Sequence, residues 1–143
     1  MSRFALHPRL VEDCHCLDRF ELSLVLLHRN ALLPWFILVP AVEPRLTELH
    51  ELDGACRRIL DDELDVLARF LKSQMGATRV NIAAIGNIVP QLHLHVVGRR
   101  VDDPCWPGVV WGRLPPGPAW PSQRLAEIRN ALRAGGGTCG KRN

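Results

Sequence analysis

Three polar side chains, Gln91, His93 and His95, recur at every second position of the run Gln91-Leu-His-Leu-His-Val-Val97, with Leu92, Leu94 and Val96 between them. On an extended chain, residues two apart share a face at a spacing of about 7 Å. The pattern therefore predicts a strand that buries its leucines and aligns two imidazoles with an amide. A neutral imidazole has no proton to lose before it attacks, which makes it a competent nucleophile at phosphorus. Just upstream, Asn81-Ile-Ala-Ala-Ile-Gly86-Asn87-Ile88-Val89-Pro90 supplies a Gly-Asn turn whose backbone N–H groups would reach the same edge. Backbone donors beside paired imidazoles suit an anion, and phosphate is the common one. On these residues alone, solvated or hydrogen-bonded structural histidines are the alternative.

Other groups invite chemistry less specifically. Cys14-His15-Cys16 alternates like a strand but lacks a second Cys or His pair at finger spacing, with His50 the one loose candidate partner; buried thiols beside an exposed histidine are the simpler reading. A metal at His93 and His95 would need a third ligand, for which Asp102, Asp103 and Cys105 follow in a loop. Trp106, Trp111 and Trp120 are separated by prolines and read as anchors of an arm, with base stacking as the alternative.

The elements that must position these residues follow from periodicity. Residues 1–16 read as an irregular lead-in. Leu22–His28 and Trp35–Val39 are short apolar runs, read as two buried strands joined through Asn30 and Pro34. From Thr47 to Met75 the period changes: Cys56, Leu60, Leu64, Leu67, Leu71 and Met75 form one stripe, predicting an amphipathic helix with Asp53 as N-cap and Gly76 just past its end. Arg79–Ile85 and Leu92–Arg99 read as two further strands. Six prolines between Pro104 and Pro121 exclude helix and central strand there, so residues 104–121 read as an extended, packed arm. Ser122–Ala134 is a short helix candidate, and Gly135–Asn143 is expected to fray. Strand–strand–helix–strand–strand gives an α+β fold, an antiparallel sheet with a long helix on one face.

Composition bounds the rest. The 143 residues, 47% hydrophobic and 23% charged, suit one ordinary domain and exclude a disordered chain. The apolar stretch Leu32–Val42 contains Pro34 and Pro40 and is about half of a membrane span, so no membrane association is expected. No leader pattern opens the sequence, and five cysteines without framework spacing suit reduced thiols, so a cytoplasmic location is expected. Residues 1–103 carry 12 basic and 14 acidic side chains, and residues 104–143 carry 6 and 1. A near-neutral body argues against specific nucleic-acid binding, and the basic tail reads as a solvated helix end.

Gln91–Val97 resembles the signature of the histidine-triad (HIT) superfamily, His-φ-His-φ-His-φ-φ with φ apolar, and Asn81, Gly86, Asn87 and Val89 match the spacing that precedes it. The element order agrees, so the resemblance covers residues 4–103, with a HIT-like domain over 1–103 and the Pro/Trp-rich arm, short helix and basic tail over 104–143. Gln at the first triad position, Pro34-Trp35 and the Trp-Pro arm further resemble a bacterial branch of that family. The resemblance implies a homodimer whose sheets, each of about five strands, join into one. It also implies hydrolysis or transfer of a nucleoside monophosphate group from a dinucleoside polyphosphate or phosphoramidate, without metal or cofactor. His93 would attack the α-phosphorus, His95 would hold the non-bridging oxygens, and Gln91 would keep an orienting hydrogen bond. Asn81 would contact the phosphate or leaving group and Asn30 the ribose, with Gly86, Asn87 and Ile88 around the substrate. Two residues depart from the pattern: Ile88 stands where many members have Ser or Thr, and Trp35 where many have His. A nucleotide-binding module with little turnover is the runner-up, favoured by Ile88 and Gln91; a structural homodimer would rest on the basic arm alone.

Overall fold

A computed structural model describes residues 4–135. A short helix α1 (Pro8–Asp13) runs directly into β1 (Cys14–Arg19), followed by β2 (Ser23–His28), β3 (Trp35–Pro40), α2 (Gly54–Gln74), β4 (Arg79–Ala83), β5 (Leu94–Arg99) and α3 (Ser122–Ala134). The strands form one five-stranded sheet in the order β1-β2-β3-β5-β4, every neighbouring pair antiparallel. The chain is thus α+β, with its long helix on one face of an antiparallel sheet.

Strand alternation sends residues to two separate cores. Val25, Leu27, Phe36, Leu38, Leu94 and Val96 face α2, where they meet Leu60, Leu67, Phe70 and Leu71, and α3 adds Ile128 and Leu132. Leu26, Trp35, Ile37, Val39 and Val97 occupy the opposite face with Leu10, Cys14 and Val110. The expected helical stripe is the one that packs, and Asp53 caps the helix by accepting from Cys56 N at 2.8 Å. Glu63 is fully buried on α2, and its Oε1 accepts from Leu22 N (2.7 Å) and Ser23 N (3.3 Å), tying the helix to the turn before β2. Gly98 lets β5 lie close under α2, since a Cβ there would stand 2.9 Å from Pro34 Cγ and 3.0 Å from Leu71 Cδ2.

Three expectations are corrected. The lead-in is not irregular: it holds α1 and the start of the edge strand β1, whose alternation is broken by a register shift between Cys16 and Asp18 and in which only Cys14 and Leu17 are buried. The strand at the histidines starts at Leu94, leaving Gln91, Leu92 and His93 in the approach to it. The arm is extended only in its second part. Residues 101–113 run largely through turns, held by the buried pair of Arg99 and Asp103 at 2.7 Å. The chain beyond them bridges back to Asn30 at Ala119, and Trp120 Nε1 donates to the His28 carbonyl at 2.9 Å. The expected fraying concerns residues 136–143, outside the described residues.

Candidate active site

On the face of the sheet opposite α2, the register places Ile37 beside His95 and Leu26 beside Ile37, which brings His28 abreast of Trp35. His28, Trp35, Ile37 and His95 floor a cavity of about 300 Å³. The loop after β4 supplies one wall with Gly86, Asn87 and Ile88, α1 and β1 supply Arg9, Asp13 and Cys14, and Trp111 of the arm closes a side. Gly86 turns with φ of +69°, a backbone conformation that disfavours other residues.

The hydrogen bonds of the imidazoles assign their tautomers. His93 Nδ1 lies 2.7 Å from the Gln91 carbonyl, which only accepts, so Nδ1 carries the proton and Nε2 carries a lone pair. Trp35 Nε1 lies 3.0 Å from His95 Nδ1, and an indole N–H only donates, so Nδ1 accepts and Nε2 carries the proton. His28 Nδ1 likewise accepts from Asn30 N at 3.1 Å, leaving its proton on Nε2. His93 and His95 meet edge to face, with ring centroids 4.8 Å apart. The cavity thus places one nitrogen lone pair beside an N–H donor, the pairing needed to attack an electrophile and hold its oxygens.

Burial disfavours the charged form of all three rings. His93 and His95 are only 6% and 7% exposed. Desolvation holds His93 below the ordinary imidazole value against the opposing pull of the Gln91 carbonyl, and His28 is lowered for the same first reason. Burial, followed by the neighbouring His93 and His28, drives His95 down to about 3. Cys14 is pushed up to about 12 by burial and then by Asp13, so it stays a thiol.

Three residues named from sequence sit elsewhere than expected. The Gln91 side chain does not orient His93; its Oε1 accepts from His7 N (2.8 Å) and its Nε2 donates to Ala5 O (3.0 Å). Gln91 precedes the strand, so the two-residue alternation does not reach it, and only its main-chain carbonyl serves the histidine. Asn81 is turned to Arg99, whose Nη1 donates to Asn81 Oδ1 at 3.0 Å, because a buried guanidinium needs acceptors beyond the Asp103 carboxylate. Asn30 staples the arm: Nδ2 donates to Pro115 O (2.9 Å) and Oδ1 accepts from Leu32 N (3.1 Å), beside a smaller neighbouring cavity. Gly86, Asn87 and Ile88 do line the main cavity, with Ile88 73% exposed at its rim.

His28 and the wall built by α1 join the residues expected at the site. His28 was legible, because it continues the Leu24, Leu26 alternation of β2 onto the face of the site. The α1 wall was not, since nothing local says where a short polar lead-in docks. Of the tryptophans, Trp111 lines the cavity, Trp120 anchors the arm, and Trp106 lies over the Arg99 guanidinium at 5.6 Å.

Among the described residues no group of three or more His, Cys, Asp or Glu side chains is placed to hold a metal ion. The Asp103 carboxylate is instead engaged by Arg99.

Residues 9–102 match the HIT domain family model. The chain is similar to a histidine triad protein from Marinobacter aquaeolei VT8, with 39% identity, a TM-score of 0.85 and 94% of this chain and 96% of that one covered. A histidine triad protein from Bradyrhizobium japonicum gives 38% identity and a TM-score of 0.86 over 93% and 98% of the two chains. A zinc-bound histidine triad family protein from Mycobacterium smegmatis shares the fold at 20% identity and a TM-score of 0.60, over 88% of this chain and 90% of that one. No curated protein matches the chain. The extent of the family match, and the likeness over nearly the whole of two chains, establish that this protein belongs to the HIT domain family.

Proposed function

We propose that the protein binds a nucleotide derivative and hydrolyses or transfers its nucleoside monophosphate group through His93. The observation that carries this reading is the opposed tautomers of the pair: His93 presents a lone pair at Nε2 where His95 presents an N–H. In the first step the lone pair of His93 Nε2 forms an N–P bond to the α-phosphorus as the P–O or P–N bond to the leaving group breaks. The leaving group keeps that bond's electron pair and takes a proton from water. The nucleotidyl-imidazole is cationic, and its Nδ1–H shares that charge with the Gln91 carbonyl at 2.7 Å. Water then attacks phosphorus, the N–P bond breaks, the water's proton is released to solvent, and neutral His93 and a nucleoside monophosphate result. His95 Nε2–H donates to the non-bridging oxygens throughout, aided by backbone N–H groups near Gly86 and Asn87. No metal or cofactor takes part in this scheme.

Dinucleoside polyphosphates and nucleoside phosphoramidates are the substrate classes to test. Incubation with diadenosine tetraphosphate and with an adenosine phosphoramidate, followed by separation of the nucleotides, checks the reading. AMP released by the wild type but not by His93→Ala supports it; no release from either substrate by the wild type overturns it in favour of a binding module. That second reading is favoured by Ile88, which offers the leaving group no donor at the rim. Gln91 at the first motif position supports placing the chain in the branch of the family that carries it.

The same reading includes a homodimer. β4 is an edge strand with Ile82 48% exposed, and the apolar exposure continues through Ile85 and Ile88 toward the cavity. A two-fold partner pairing with this edge would cover Ile82 and extend the sheet. Light scattering at micromolar concentration should give twice the mass of 16.0 kDa, and a monomer would refute it. The four described cysteines are free, which supports a reducing, cytoplasmic setting, and among the described residues no helix is long and apolar enough to cross a membrane.

A further inference from the structure

The geometry points to Trp35 as a positioning residue for His95: its indole N–H, which donates and never accepts, holds His95 with its proton on Nε2, so that His95 serves as a fixed hydrogen-bond donor and not as an acid or base. This inference rests on the phosphate-transfer reading above and adds the device that sets its donor. Trp35 is buried and reaches His95 Nδ1 at 3.0 Å across the floor of the cavity. Its ring is held on two sides. His28 stacks on it with centroids 4.9 Å apart and planes at 24°, and Trp111 meets it edge-on at 6.0 Å and 81°. Trp111 also packs edge-on against His95 at 5.5 Å, so neither ring of the hydrogen-bonded pair has room to turn away.

A proton arriving at His95 would have to enter at Nδ1, since Nε2 already bears one. That would oppose two N–H donors across 3.0 Å and forfeit the hydrogen bond. The groups lining the cavity give such a cation no counter-charge. His93 and His28 are themselves bases, Cys14 stays a thiol, and Asp13 is paired with Arg9 at 3.5 Å. The loop wall and the arm contribute Ile85, Gly86, Asn87, Ile88, Trp111 and Gly112 there, none of which titrates. Burial first, and then the neighbouring His93 and His28, act in the same direction and hold His95 well below the ordinary imidazole range.

The test is nitrogen-detected NMR of the full chain labelled in its histidines, followed from about pH 8 to about pH 5, across the ordinary imidazole transition. The wild type should show His95 with an unprotonated Nδ1 and a protonated Nε2 over the whole range. In Trp35→Phe, which keeps an aromatic ring and removes the donor, His95 should populate both tautomers. Its kcat should fall about ten-fold, the scale of one hydrogen bond, with KM little changed. A protonated Nδ1 in the wild type, or a His95 spectrum unchanged in a folded Trp35→Phe, overturns the inference. If Trp35→Phe does not fold, the wild-type spectrum decides alone. The spectrum does not depend on turnover: a locked His95 in a protein that releases no AMP refutes the function proposed above and leaves the lock standing.

Discussion

Replacing Gln91 by alanine removes two hydrogen bonds that hold the segment leading into α1 against the approach to β5. The bonds are Nε2–H to Ala5 O at 3.0 Å and His7 N–H to Oε1 at 2.8 Å. Both are half-buried links between residues more than eighty positions apart, so their loss loosens a tertiary dock and not a local turn. Each contributes about 0.5–1.5 kcal/mol net, or about 2 kcal/mol together, which corresponds to a roughly thirty-fold rise in the open population of that segment. Because α1 carries Arg9 and Asp13 into the cavity wall, the variant should bind substrate more weakly. Its chemical step should survive, since the carbonyl that orients His93 belongs to the main chain. Gln91→Glu sharpens the test: the carboxylate can still accept from His7 N–H, but it faces the Ala5 carbonyl without a proton to donate. Hydrogen exchange at the His7 amide reports the dock, and kcat and KM report the chemistry. Faster exchange with raised KM and nearly unchanged kcat is expected for Gln91→Ala. A hundred-fold loss of kcat with protection at His7 intact would show that the amide acts on the reaction itself, and the reasoning from its hydrogen bonds would fail.

Three further outcomes follow from the same structure. His93→Ala should abolish nucleotide release, as loss of a nucleophile does, while binding measured by calorimetry weakens by only about 1–2 kcal/mol; residual activity equal to wild type, or a phosphorus adduct trapped elsewhere, refutes the nucleophilic role. Ile88→Ser should raise kcat without tightening ground-state binding, because a hydroxyl at the rim can donate to the departing group. A preorganised donor is worth up to about 10²–10³ in rate and a mobile hydroxyl nearer ten-fold, so an unchanged or lower kcat in a folded variant would show that this position does not limit catalysis. Stability should fall on acidification below about pH 6.5: His28, His93 and His95 are all held below their ordinary value when folded, so the unfolded chain binds protons that the native state refuses. His95 alone, at about 3, accounts for about 2 kcal/mol by pH 5, and a urea midpoint that stays flat from pH 7 to pH 5 would refute the buried neutral histidines.

Much of this architecture was legible in the linear sequence because it rests on short-range periodicity. The stripe from Leu60 to Leu71 could form only one helical face, and the apolar runs ending at His28 and beginning at Trp35 had no solvent-facing alternative as strands. His93 and His95 stood out for the same reason, being polar residues spaced to share a face within an apolar run. Strand β1 was missed because an edge strand keeps half its side chains in water, and its register shift breaks the alternation that would reveal it.

What the sequence by itself determined is which residues could do chemistry and which elements would carry them, since residue type and local period are properties of neighbours along the chain. The tertiary structure alone decided what those residues do. Gln91, Asn81 and Asn30 have amides suited to a substrate, yet Ala5 and His7, Arg99, and Pro115 claim them, partners from 18 to 86 positions away. His28 and Trp111 joined the site, and Trp35 gained its role, only when the register of β2, β3 and β5 and the fold of the arm brought them together. A hydrogen bond depends on the distance between two groups in space, and for groups so far apart in sequence that distance exists only once the sheet has closed.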